Sequence, residues 1–159
     1  MSKKYSQICF GCYLFFLVWL IMFKLSINLP VFFQRASGRS LNLIPFVNDG
    51  GTREMLLNVL AFVPLGWFLR KVTHFKWFSA LSVIFLITLI FETLQYIFAI
   101  GASDINDILM NSLGGGIGLI LFQLLKDKSK QKIGNGLEIV LFALMLLILL
   151  LQIVHHFGR

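Results

Sequence analysis

Long apolar runs separated by short polar or charged segments dominate this chain. A membrane-spanning helix needs about 20 mostly apolar residues, and five runs reach or approach that length: 8–23, 55–69, 77–99, 108–125 and 137–154. The second run is the shortest and contains Asn58 and Pro64, so it spans only if it borrows a turn at either end. The pattern predicts an all-α, polytopic transmembrane helical bundle of about five spans.

The segment between the first two runs, 24–53, has a different pattern. Two prolines and three glycines are typical of a loop. It also contains apolar islands at 31–33 and 41–46. Irregular backbone at membrane depth is tolerated only where protein or a water-filled cavity satisfies its polar groups. We therefore expect this loop to lie on the membrane surface or to dip into it.

Composition supports lipid as the solvent. Hydrophobic residues make up 58% of the 159 and charged residues 13%, with a mean hydropathy of +0.86. A soluble domain has about 25% charged residues, and one of this size could not bury so much apolar surface. The sequence therefore predicts an integral membrane protein.

The net charge of +7 follows from membrane topology and gives no reason to expect a nucleic-acid partner, because the basic residues flank the apolar runs. If the N-terminus is inside, nine basic residues are inside: Lys3, Lys4, Arg70, Lys71, Lys76, Lys126, Lys128, Lys130 and Lys132. Five are outside: Lys24, Arg35, Arg39, Arg53 and Arg159. Cytoplasmic loops carry the excess of Lys and Arg, so the count predicts an inside N-terminus.

The sequence offers little metal chemistry. Cys9 and Cys12 form one CxxC, but a zinc site needs about four ligands and no second pair is placed to supply them. We interpret both as small apolar residues, and His155 and His156 as interfacial residues. No metal site is predicted.

Acidic residues cluster in sequence and in predicted depth. Five of the seven are Asp49, Glu54, Glu92, Asp104 and Asp107. A carboxylate inside the membrane is costly and is by default a functional-site hypothesis. Glu92 lies only about four residues from the outer end of its helix, so it should face inward and have a partner; Arg53 is the first candidate.

Helical spacing arranges the polar residues as three stripes. Residues three or four apart share a helix face, which aligns Glu54 with Asn58, Glu92 with Gln95, and Asp104 with Asp107 and Asn111. The short connection 99–102 makes two of these helices antiparallel neighbours and brings Glu92 near Asp104. On the predicted topology all three stripes lie at the outer end and line one cavity.

Purely structural roles compete with this interpretation. Ser103 or Asp104 can cap the fourth helix, and Asp107 then favours the positive end of its dipole. Gln95 and Asn111 can act as interhelical hydrogen bonds. The glycines of 114–118 contain a GxxxG step, which predicts close helix contact.

The order of these motifs resembles the VanZ-like family of membrane proteins. The matching motifs, in order and spacing, are Asn42 to Phe46 (NLIPF); Asn58, Phe62, Pro64, Leu65 and Gly66 (NxxxFxPLG); Glu92 and Gln95 (ExxQ); and Asp104, Asp107, Asn111 and Gly114 (DxxDxxxNxxG). The resemblance covers 1–125 as one transmembrane domain, and 137–156 adds a C-terminal helix to the same bundle. It implies a multi-pass protein of the bacterial plasma membrane, from a family associated with teicoplanin resistance.

Three functional hypotheses follow. In the first, a non-enzymatic envelope protein alters glycopeptide susceptibility, its outer polar cavity binding through Arg53, Asn58, Gln95 and Asn111. The partners are then membrane lipids and lipid-linked cell-wall components or glycopeptides, without a cofactor. In the second, a membrane-embedded enzyme acts on a lipid-linked phosphate or another amphiphile, with Glu92, Asp104 and Asp107 dividing acid and base roles or holding Mg²⁺. In the third, the chain is a packing scaffold of a cell-wall complex.

Overall fold

The computed structural model describes residues 3–23, 40–46, 52–100, 102–127 and 131–157. These residues form five helices and two short strands. In chain order they are α1 (Lys3–Phe23), β1 (Ser40–Asn42), α2 (Thr52–Thr73), α3 (Trp77–Phe98), β2 (Ala102–Asp104), α4 (Ile105–Leu125) and α5 (Gln131–Phe157). Of these helices, α1 to α4 are long and apolar enough to span a membrane. The predicted all-α bundle is confirmed, while the fifth span and the inside N-terminus stay predictions.

The helices extend beyond the apolar runs that predicted them. The second helix has 22 residues, Thr52–Thr73. At 1.5 Å per residue it measures about 33 Å, enough to cross a hydrocarbon core of about 30 Å. The fourth helix begins at Ile105 and not at 108. Hydropathy marks the apolar part of a span, whereas the hydrogen-bonded helix continues into the polar residues at either end.

Helices α2 and α4 form the closest pair in the bundle, and glycine permits it. A Cβ atom at Gly114 would overlap the carbonyl group of Val59, and one at Gly118 would overlap that of Val63. Across the same contact, a Cβ at Gly66 would overlap the carbonyl of Gly115. The prediction of close helix contact at 114–118 is confirmed, because only residues without a side chain let two helix backbones approach so closely.

The remaining helices pack around this pair. α1 and α3 both contact α2, while α5 contacts α1 and α4. Phe62, Leu65, Ile84 and Leu119 are fully buried between the helices. Large apolar side chains also face outward, as the exposed surfaces of a bundle in lipid require.

One end of the bundle carries the two short strands. β1 and β2 pair in parallel, with Ser40 opposite Ala102 and Asn42 opposite Asp104. Just before β2, Ala99 ends α3 in the left-handed conformation (φ 55°), and the amide of Ile100 donates to the carbonyl of Gln95. We call this the strand end of the bundle; α1 and α3 end there, and α2 and α4 begin there. Of the predicted loop 24–53, the structure describes 40–46 and the first two residues of α2, at 52–53. Segments 24–39 and 47–51 lie outside the described residues.

Candidate functional site

A cavity of about 270 Å³ lies at the strand end of the bundle. All of the first four helices contribute to its wall. The lining residues are Leu20 and Ile21 from α1; Glu54, Leu57, Asn58 and Ala61 from α2; Glu92 and Gln95 from α3; and Asp107 and Asn111 from α4. The structure thus brings together five of the predicted site residues: Asn58, Glu92, Gln95, Asp107 and Asn111. It adds Leu20 and Ile21 of α1, which no polar pattern indicated.

Glu92 is the most buried carboxylate of this cavity. Its side chain is 2% exposed, and its Oε2 accepts a hydrogen bond of 2.9 Å from the backbone amide of Asp104. Its Oε1 has no hydrogen-bond partner among the described residues. Glu92 therefore lies near Asp104 as predicted, but it contacts the backbone of that residue. The predicted pairing with Arg53 cannot be placed, because the Arg53 side chain lies outside the described residues.

Gln95 and Asn111 are each held by one polar atom. The Nε2 of Gln95 donates to the carbonyl of Ile21 at 3.0 Å, and the Nδ2 of Asn111 donates to the Oγ1 of Thr88 at 2.8 Å. Both residues form interhelical hydrogen bonds, which is one of the two roles considered for them. Both are also buried, and their side-chain oxygens lack a partner within the described part of the chain. An unsatisfied buried acceptor costs about 1–3 kcal/mol, so these oxygens call for an explanation.

Asp107 and Asn58 connect α4 to α2 across the cavity wall. The Nδ2 of Asn58 donates to the Oδ1 of Asp107 at 2.6 Å. Glu54, one turn earlier on α2, is exposed and also lines the cavity. Glu92, Asp107 and Glu54 thus bring three carboxylates to a single cavity.

Asp104 has a different position from Asp107. It is the N-cap of α4, where its Oδ1 accepts from the backbone amide of Asn106 at 2.8 Å. Its Oδ2 accepts from the Nδ2 of Asn42 at 3.1 Å. It is not among the residues that line the cavity. The capping role considered for Asp104 is therefore the one that the structure supports.

The NLIPF segment is fixed over the start of α4. Besides the strand pairing and the Asn42–Asp104 bond, the amide of Phe46 donates to the Oδ1 of Asn106 at 3.1 Å. Within the segment, the amide of Ile44 donates to the Oδ1 of Asn42 at 3.3 Å. Leu43 and Ile44 are 64% and 62% exposed. Its apolar side chains therefore point away from the protein while its backbone is held against α4.

The cavity is rich in hydrogen-bond acceptors. It has three carboxylates, and none of its described lining residues is Lys, Arg or His. Oxygen acceptors of this kind favour a ligand that donates hydrogen bonds or carries positive charge. No group of three or more His, Cys, Asp or Glu among the described residues has an arrangement able to hold a metal ion.

A second polar cluster, at the other end of the bundle, escaped the sequence reasoning. Glu138 on α5 is 1% exposed. Its Oε1 accepts from the Nε1 of Trp67 at 2.9 Å and forms an ion pair with the Nζ of Lys71. The available signal was a single carboxylate within an apolar run, the same signal that drew attention to Glu92.

Comparison with known proteins places the chain in a family. The family model described as VanZ/LLP1 matches residues 10–126. The Protein VanZ of Enterococcus faecium is 39% identical over 158 residues, which covers 98% of this chain and 96% of that protein. No solved structure matches the chain. The family model matches most of the chain, and the relative aligns with the chain over nearly its whole length. The chain therefore belongs to the VanZ/LLP1 family.

Proposed function

We propose that this protein lowers the susceptibility of a bacterial cell to teicoplanin by binding a component of the cell envelope in its polar cavity. Membership of the VanZ/LLP1 family supports a role in glycopeptide susceptibility. The observation that carries the binding role is the set of buried side-chain oxygens on Glu92, Gln95 and Asn111, which the described residues leave without partners. The proposed location is the plasma membrane, crossed several times, with the N-terminus inside.

The orientation of the cavity supports contact with an envelope component. The excess of Lys and Arg on alternate loops favours an orientation in which the strand end of the bundle is on the outer side. The exposed apolar side chains of Leu43 and Ile44 lie at that same end, where they can enter the lipid surface. The partner we propose is therefore a lipid-linked cell-wall component or the glycopeptide itself, reached from the outer leaflet.

The second hypothesis, an enzyme acting on a lipid-linked phosphate, has weaker support from the contacts. Of its three carboxylates, Asp104 is engaged as the cap of α4. The other two, Glu92 and Asp107, would repel a phosphate unless a cation such as Mg²⁺ came with it. A binding role needs no such addition.

Susceptibility measurements test the proposal. The chain is expressed in a teicoplanin-sensitive host, and the minimum inhibitory concentration and the surface binding of fluorescent teicoplanin are measured. Expression should raise the inhibitory concentration and reduce surface binding. Glu92→Gln and Asp107→Asn should lose most of that effect, whereas Asp127→Asn should keep it, because the exposed Asp127 follows α4 at the opposite end. Unchanged values for the wild-type chain would rule out a resistance role.

A further inference from the structure

The three side chains that carry the unpartnered oxygens have the same arrangement in the cavity wall. Glu92, Gln95 and Asn111 are each at least nine-tenths buried, at 2%, 7% and 1% exposed. In each, one polar atom is used by a partner inside the protein and fixes the side chain. The other atom is an oxygen without a described partner, on a side chain that lines the cavity.

For Glu92 and Gln95, the partner inside the protein establishes that the unpartnered atom is an oxygen. Ile21 offers Gln95 a backbone carbonyl, which only accepts, so the Gln95 amide nitrogen must face it and its oxygen must lie opposite. The backbone amide of Asp104 only donates, so Glu92 meets it as an acceptor. With these two partners fixed, the unpartnered atoms of Glu92 and Gln95 are acceptors, and none of the described lining residues is a cation that could meet them.

We infer that the cavity binds the primary ammonium group of an amphiphilic ligand. An ammonium group has three N–H donors and one positive charge, which matches the three oxygens without a described partner and the excess of carboxylate among the described lining residues. The apolar remainder of the ligand lies against Leu20, Ile21 and Leu57 in the same cavity. A bare metal ion suits the site less well, because the described residues hold no metal-binding group of three or more His, Cys, Asp or Glu.

This inference deepens the proposed function and rests on the cavity being the site where the protein acts. It names the group that an envelope component presents there. Two sources carry that chemistry in the outer leaflet: the headgroup of an aminophospholipid, and the free amine of a peptide or glycopeptide. The protein contacts are the same for both, so the source is decided by experiment.

Titration with small amphiphiles tests the inference directly. The full-length protein is placed in nanodiscs of phosphatidylglycerol, which has no amine, and hexylamine is titrated while ¹⁵N spectra follow the side-chain amides of Gln95 and Asn111. Hexylamine should bind saturably and shift both amides. Hexan-1-ol lacks the charge and hexyltrimethylammonium lacks the N–H donors. Each should bind at least about tenfold more weakly than hexylamine, as expected when a charge-assisted hydrogen bond is lost.

Substitutions at Glu92 and Asn111 test whether hexylamine binds in the cavity. Glu92→Gln keeps an acceptor for the Asp104 amide, so the fold is retained while the charge is lost, and the affinity for hexylamine should fall about tenfold. Adding Asn111→Asp to that variant returns a carboxylate to the cavity, where the Thr88 hydroxyl can donate to it, and should restore most of the affinity. Asp127→Asn should leave the affinity unchanged.

Defined outcomes would overturn the inference. It fails if hexan-1-ol or hexyltrimethylammonium binds as tightly as hexylamine, or if folded Glu92→Gln protein binds hexylamine like the wild type. Competition by phosphatidylethanolamine in the nanodisc supports a lipid headgroup as the source, and its absence together with hexylamine binding supports a peptide or glycopeptide amine. If hexylamine does not bind but Glu92→Gln still abolishes teicoplanin protection, only the ammonium inference fails. If binding follows the inference but expression does not change susceptibility, only the resistance proposal fails.

Discussion

Asp104 and Asp107 lie one helical turn apart and have different surroundings. Asp104 accepts hydrogen bonds from the amide of Asn106 and the side chain of Asn42, which fixes the start of α4 and the NLIPF segment. Asp107 lines the cavity and accepts from Asn58. The DxxD motif therefore combines a structural residue with a candidate binding residue.

The cap gives a prediction for Asp104. Asp104→Ala should lower the free energy of unfolding by about 0.5–2 kcal/mol, because the amide of Asn106 loses its capping acceptor. Asp104→Asn should lose less than Asp104→Ala, because Asn still caps the helix, although its NH2 group cannot accept the hydrogen bond from the Nδ2 of Asn42. Reversible unfolding in mixed micelles measures both. A loss of teicoplanin protection in Asp104→Asn, with stability intact, would contradict a purely structural Asp104.

The Glu138 cluster predicts a strong asymmetry between single and double variants. Lys71→Met leaves the fully buried carboxylate of Glu138 without its cation. We expect a loss of up to about 3 kcal/mol, at the low end for a broken buried pair because the Lys71 side chain is 23% exposed. Adding Glu138→Gln should recover most of that loss, since Gln still accepts from the Nε1 of Trp67. Equal destabilisation of the single and double variants in the same unfolding assay would contradict the ion-pair account.

Residue chemistry explains which site members the sequence revealed. Glu92, Gln95 and Asn111 stood out because a buried polar group in an apolar chain is costly. Their partners did not, because two of the three are backbone groups, the carbonyl of Ile21 and the amide of Asp104, which every residue possesses. Leu20 and Ile21 could not be distinguished from the apolar residues that face lipid.

At the scale of the elements, the α2–α4 contact sets the shape of the site. Gly66, Gly114 and Gly118 allow the two backbones to touch, and the same approach brings Asn58 within 2.6 Å of Asp107. The glycine pattern predicted such contact but did not specify the partner helix. That choice depends on how two surfaces fit in space, which one stretch of sequence does not encode alone.

A matched pair of glycine substitutions tests this contact. Gly118→Ala places a methyl group against the carbonyl of Val63 and should destabilise the bundle by about 1–3 kcal/mol. At Gly11, in α1, no atom of the described chain lies within 4 Å of the added Cβ. Gly11→Ala should therefore be neutral or stabilising by up to about 1 kcal/mol. Similar unfolding free energies for the two variants would show that the α2–α4 contact is looser than described.

At the scale of the whole molecule, the two polar clusters lie toward opposite ends of one bundle. Asn58 belongs to the cavity and Lys71 to the Glu138 cluster, and thirteen residues of α2 separate them by about 20 Å. If the bundle crosses the membrane along its length, the two clusters face opposite sides. The orientation of the bundle in the membrane determines whether the cavity faces the cell exterior.

Cysteine labelling determines that orientation. In a background of Cys9→Ala and Cys12→Ala, Ile44→Cys at the strand end and Lys126→Cys after α4 are treated with a membrane-impermeant maleimide on intact cells. The excess of basic residues predicts labelling at position 44 and protection at position 126. Labelling at position 126 alone would show that the topology is the reverse of the predicted one and that the cavity opens toward the cytoplasm.

The spans were predictable because lipid imposes a length and a polarity on every helix that crosses it. The parallel pairing of β1 with β2 was not, because the paired segments are three residues each and about sixty residues apart. So short a strand has no periodicity to recognise. Its stability comes from neighbours that only the assembled bundle provides.

That pairing also has a consequence for how the protein is made. Parallel strands require a crossover connection, and here the crossover consists of the whole α2–α3 hairpin. The NLIPF segment emerges from the ribosome early, but Asp104 and Asn106, which hold it, are synthesised only after both helices of that hairpin. During translation, the NLIPF segment is therefore without these hydrogen-bond partners until α4 begins to be synthesised. Nascent chains arrested before residue 104 should leave its backbone open to proteolysis, and completion of α4 should protect it.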